Sequence, residues 1–185
     1  MIRKLVLILV VMLVGSVAIF AATQDMENVS VLVTPTGDVI ISLDQATVDF
    51  DVLDVYTSSN SPTAITITND GEVGCKLSKG ITTDAGQWDI TASSTTEDGY
   101  DLLIGTATSQ PSIAEFEAGN SVLEITSVGA ASSSLTGVGA GSTQVTLSPT
   151  ETCKTWFMIR MPKTVSVLGN QAQTITVTYQ ADPND

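Results

Sequence analysis

From Gln173 to Gln180 the chain reads QTITVTYQ, with Ile175, Val177 and Tyr179 set between threonines. A repeat of two puts all three apolar side chains on one face only if the backbone is a strand. The same alternation returns at 29–33 (VSVLV), 39–43 (VIISL), 46–52, 63–68 and 73–81, and again at 87–92, 101–106, 121–126, 143–147 and 153–161. Within 46–52, Val48 and Phe50 share a face with Ala46 and Val52, opposite Thr47, Asp49 and Asp51. Turn residues punctuate these runs, as in Pro35-Thr36-Gly37-Asp38 and Asn69-Asp70-Gly71, where Asn, Asp and Gly tolerate positive φ. Only 112–118 (SIAEFEA) suits a short helix. The stretch 127–143 is built of small residues and reads as a long loop, among the most mobile parts of the fold.

Many short strands, each with one apolar and one polar face, predict an all-β antiparallel sandwich. A single domain spans residues 29–181, with a short segment at 23–28 before it and a tail at 182–185.

Arg3 and Lys4 precede an apolar run from Leu5 to Phe20, followed by Ala21 and Ala22. A basic tip, an apolar stretch and small residues at the exit describe a secretory signal peptide over residues 1–22, with the mature chain starting between residues 19 and 24. The competing reading is a retained anchor, since about 18 apolar residues are just enough to cross a bilayer.

Charge narrows the function classes. The chain holds 20 acidic and seven basic residues and no histidine. Loss of residues 1–22 removes two of the bases and none of the acids, which leaves a net charge of −15. Such a surface repels nucleic acid and anionic lipid, so membrane contact is expected only through an uncleaved leader. It suits solubility outside the cytoplasm, or the capture of calcium or a cationic partner.

The stretch ATVDFDVLDVYTSSNSPTAITITNDGEVGCKLS resembles the opening half of immunoglobulin-like domains of the ASPM/SPD-2/hydin type, and of related Ig-like modules in bacterial secreted and surface proteins. Val48-Asp49-Phe50 and Thr68-Asn69-Asp70-Gly71 carry the likeness, with Asp51 where the family usually has glycine. The closing pair WFMIRMP and QTITVTY is similar to the last strands of the same modules. The resemblance implies an Ig-like, Greek-key sandwich that binds or supports rather than catalyses.

The residues themselves offer few chemical constellations. Without histidine, Ser-His-Asp triads, Cys-His dyads and His-ligated metals are excluded. Glu115 and Glu117 form a carboxylate pair of the kind a glycosidase uses, against the plainer reading of surface acids. Asp49, Asp51 and Asp54, and a second group of Glu97, Asp98 and Asp101, offer oxygens to calcium, but neither has an EF-hand spacing. Gly137-Val138-Gly139-Ala140-Gly141-Ser142 looks like a phosphate loop yet lacks the following helix. Trp88 and Trp156 are the aromatic candidates for a sugar or partner contact, against packing in the core. Asn28-Val29-Ser30 is an N-glycosylation triplet.

The expected protein is a secreted, non-catalytic structural or adhesive module of the cell surface, without a cofactor, whose partners are other surface proteins or further copies of itself. Two alternatives stand beside it. In one, residues 23–34 add a strand to a neighbour and the chain polymerises; in the other, the module binds carbohydrate. A carboxylate-dependent hydrolase is the remaining class. An exported chain with two cysteines is expected to pair them, so Cys75 and Cys153 form the predicted disulfide. On the Ig-like order their strands, third and penultimate, are neighbours in one sheet, and the bond is a cross-strand staple.

Overall fold

Two β-sheets face each other across an apolar core in the structure, a computed structural model that describes residues 37–83, 88–91, 97–119, 123–125, 128–131, 133–139, 143–166 and 173–184. The leader, the segment 23–28, the strand at 29–33 and the triplet Asn28-Val29-Ser30 lie outside the described residues. The all-β sandwich expected from the alternation is the architecture observed.

The elements in chain order are β1 (Ile41–Leu43), β2 (Ser58–Asn60), β3 (Ile65–Asn69), β4 (Cys75–Thr83), β5 (Asp89–Ile90) and β6 (Gly99–Thr106). The helix α1 (Ile113–Ala118) follows, then β7 (Glu124–Ile125), β8 (Ser133–Ser134), β9 (Thr146–Leu147), β10 (Thr152–Arg160) and β11 (Thr176–Pro183). The larger sheet runs β1-β3-β10-β6-β5, with β2 beside the end of β10 and β7 beside β6. The smaller sheet runs β11-β4-β8, with β9 also on β4.

The core follows directly from the period of two. Ile65 and Ile67 of β3, Ile104 of β6, and Phe157 and Ile159 of β10 face Cys75, Leu77 and Ile81 of β4. Val177, Tyr179 and Ala181 of β11 pack against the same cluster while Thr176 and Gln180 stay exposed. In β6 the alternation fades into an apolar run, because this strand is covered on both faces. Its Leu102 and Ile104 enter the main core, and its Leu103 enters a second cluster with Phe116, Leu123 and Met158 on the outer side of the larger sheet.

Asn69-Asp70-Gly71 turns the chain from one sheet to the other, since β3 lies in the larger sheet and β4 in the smaller. The fully buried Asn69 holds the corner: its Nδ2 donates to the carbonyls of Val73 (2.9 Å) and Leu147 (3.1 Å), and its Oδ1 accepts from Gly71 N (3.0 Å). Gly71 is required by contact, because a Cβ there would run into the Asp38 carbonyl oxygen and stand 2.8 Å from Ile40 N.

Three expectations need correction. Residues 46–52 are not a paired strand: none of 46–53 makes a backbone-to-backbone hydrogen bond among the described residues. Val48 and Phe50 still pack on the core with Thr47, Asp49 and Asp51 outward. At Asp51 the backbone turns left-handed (φ 55°), so Val52 points out and Leu53 points in.

The stretch 127–143 is better anchored than its composition implied. Leu135 is fully buried, its N–H donates to Leu77 O (2.9 Å), and β8 pairs with β4. Finally, Cys75 and Cys153 do not lie on neighbouring strands of one sheet: β4 belongs to the smaller sheet and β10 to the larger. In chain order β10 is the penultimate strand, as expected, but β4 is the fourth of the named strands and not the third.

Candidate functional sites

The outer face of the larger sheet carries a group of interacting charged side chains. α1 is placed there by its own sequence. Ser112 Oγ accepts from Glu115 N (3.3 Å) while Glu115 Oε2 accepts from Ser112 N (2.7 Å), a reciprocal cap that satisfies two backbone donors. The backbone and hydroxyl of Ser112 hold the Glu115 carboxyl below its usual range. Phe116 then drops onto Leu103 and Met158, with Ile113 of the same helix packed beside it.

At one end of this cluster Arg160 reaches Asp101 (3.2 Å) and Glu117 (3.6 Å). Asp101 sits opposite Arg160 in the β6–β10 register, and Glu124 lies diagonally across from Asp101 on β7. Asp101 Oδ1 and Glu124 Oε1 are both buried without a hydrogen-bond partner. Burial, and then the charge of Asp101, push the Glu124 carboxyl up, while Arg160 pulls the other way. One guanidinium therefore serves three carboxyl groups, an arrangement that favours holding a proton on Glu124.

A second polar group is enclosed between the sheets. Lys79, fully buried on β4, donates from Nζ to Ile104 O (2.7 Å) across the core. Burial lowers its pKa to about 8. Its register partner Tyr179 is pushed up by burial, and the hydroxyl of Tyr179 stands by that of Thr155 without completing a hydrogen bond of normal geometry. Cys75 and Cys153 are free thiols belonging to this same core. Burial raises both, Cys153 to about 11 with a further push from Cys75. Neither thiol is poised as a thiolate nucleophile near neutral pH.

No protein-family model matches the chain, and no curated protein matches it. The Ig-like resemblance rests on the residues quoted for it.

The remaining candidates are dispersed. Trp88 packs against the main core. Trp156 packs on the outer cluster, and its Nε1 donates to Ala107 O (3.0 Å). Both faces of β10 are covered, which the sequence left undecided for Trp156. Glu115 serves as a helix cap and Glu117 contacts Arg160, so the carboxylate pair is not aimed at a shared cleft. Asp49, Asp51 and Asp54 are exposed, and Asp49 Oδ1 accepts from Asp51 N (2.8 Å). Asp98 accepts from Ser166 while Asp101 accepts from Arg160, which splits the second acidic group. Among the described residues no three His, Cys, Asp or Glu side chains gather as a metal site. Of the glycine-rich stretch, 140–142 lie outside the described residues; Val138 packs on the outer cluster.

Sequence reasoning missed Lys79 and Tyr56. Lys79 was legible as the charge on the apolar face of a strand, in step with Cys75, Leu77 and Ile81. Tyr56 is 68% exposed with a left-handed backbone (φ 58°), and the Lys163 amine lies 5.9 Å from its ring centroid. No signal in the sequence separated it from the core aromatics.

Proposed function

We propose that this chain is an exported, non-catalytic Ig-like module that acts as a structural or adhesive component of the cell surface. The observation that carries the reading is where the reactive groups are used. Lys79 and both thiols belong to the core, Glu115 caps a helix, and Glu117 and Asp101 share Arg160. Of the five bases beyond residue 22, Lys79 is buried and Arg160 is ion-paired, so the surface offered to partners is strongly acidic. Immunogold labelling of intact cells tests the location: label on the outer surface is expected, and label confined to the cytoplasm would contradict it. A screen of glycan and peptide hydrolysis tests the chemistry, with no turnover expected; turnover abolished by Glu115→Gln would restore the hydrolase reading.

Polymerisation by strand addition is the second reading. It is favoured by β11, whose outer edge has no strand beside it among the described residues. Filaments or ladders in electron micrographs are its expected outcome, and a monodisperse monomer at high concentration counts against it.

In an oxidising compartment Cys75 and Cys153 would join the two sheets. Closing a loop of this length contributes about 4 kcal/mol in the chain-entropy treatment. Non-reducing peptide mapping of exported protein should find the crosslinked pair. Two thiols that alkylate freely in the denatured, unreduced chain would rule it out.

A further inference from the structure

We propose that the run Ala46–Leu53 is a strand awaiting a partner, and that it takes up an extended peptide from another protein in which apolar and basic residues alternate. The inference rests on the reading of the chain as a surface-binding module and names the chemistry of its ligand.

Three observations converge on this run. As far as Asp51, where a left-handed residue shifts the phase, its side chains alternate as a strand's do, with Val48 and Phe50 on the core and Thr47, Asp49 and Asp51 outside. Among the described residues its backbone makes no backbone-to-backbone hydrogen bond at 46–53, and Asp51 N alone is taken, by Asp49 Oδ1, so the other donors and the acceptors are available on a chain already fixed by its apolar face. At its end and directly after it, Val52 (89% exposed), Val55 (48%) and Tyr56 (68%) form the most exposed large apolar group among the described residues. A free strand edge with an apolar flank is what an added strand requires: the backbone supplies affinity and alternate side chains supply specificity.

Charge selects the occupant. Asp49, Asp51 and Asp54 are all exposed, and the ion pairs among the described residues are those of Arg160, so none of the three has a cationic partner. On a sheet face opposite charges in cross-strand positions stabilise and like charges repel. A second copy of this acidic chain is therefore a poor match, and a peptide with lysine or arginine on its outward face is a good one. Tyr56 already holds the Lys163 amine near its ring, which shows that the apolar flank accepts an ammonium group.

The test uses the mature full-length chain and a synthetic peptide of alternating lysine and valine, with a copy N-methylated at alternate residues. Methylation keeps the charge and side chains but removes the ladder donors. The expected result is saturable binding that slows amide exchange at residues 47–53 and is lost with the methylated peptide. Replacing all three acids (Asp49→Asn, Asp51→Asn, Asp54→Asn) should weaken binding by about tenfold, while Val52→Ser with Tyr56→Ser weakens it without a change of charge. Each variant is used only if its urea midpoint matches that of the parent. Equal binding of the methylated peptide, protection located elsewhere, or no binding would overturn the proposal and leave the surface location untouched. Protection of residues 47–53 that grows with protein concentration, in the absence of peptide, would assign the edge to a second copy and also overturn it.

Discussion

The run Ala46–Leu53 and the strand Thr152–Arg160 begin from the same kind of sequence and end differently. Both alternate, and both send apolar side chains into the core. The strand 152–160 is laddered to β3 and β2 on one side and to β6 on the other, and it is covered on both faces. The run 46–53 has its side chains placed but, among the described residues, no hydrogen-bonded neighbour for its backbone. Alternation thus decides which side chains are buried, whereas a ladder depends on what another segment brings alongside. The left-handed turn at Asp51 adds to the difference by ending the alternation in mid-run.

The comparison can be broken first where packing is tightest. Leu103 is fully buried against Phe116 and Met158. Leu103→Ala should cost about 3–4 kcal/mol in urea denaturation, as large cavities in a closed core do. Phe50→Ala, in the unladdered run, should cost less than half as much; equal losses would mean that the run is as integral as the central strands.

Lys79 gives the next effect. Its folded pKa of about 8 lies below its ordinary 10.5. Between those values the unfolded chain binds more protons, so stability rises with pH, by about 3 kcal/mol over the whole window. Below pH 8 the full penalty is present. The raised Cys153 and Tyr179 act in the opposite sense at alkaline pH, but they are common to the parent and to Lys79→Met. The difference between the two stability curves should therefore rise through this window, and parallel curves would show that Lys79 is solvated.

Smaller effects sharpen the picture. Ser112→Ala removes the cap of α1 and should cost about 1 kcal/mol. Asp51→Gly should change stability by only about 0.5 kcal/mol in the stabilising direction, because glycine adopts the left-handed conformation without a Cβ penalty. A clear destabilisation there would mean that the Asp51 side chain holds the turn.

The sandwich was legible because its signal is local: Ile65 and Ile67, or Val177 and Tyr179, announce a buried face within five residues. The cap of α1 was legible for the same reason, with Ser112 and Glu115 three residues apart. Sheet membership was not. Nothing near Cys75 or Cys153 says that β4 and β10 lie in opposite sheets, since that depends on the Asn69 corner and on pairings far apart in the chain. Trp156 shows the same limit. Its alternation put it on the face opposite Phe157, and that face is covered by segments distant in the chain: α1, Leu123 and Val138.

Amide hydrogen exchange on the free protein measures the central contrast directly. Residues 153–160 should be protected close to the level of global unfolding, while 47–50 and 52–53 exchange near the rate of an unstructured peptide, with Asp51 slowed only by its bond to Asp49. Equal protection across both segments would contradict the claim that the run, which has no backbone partner among the described residues, is an open edge.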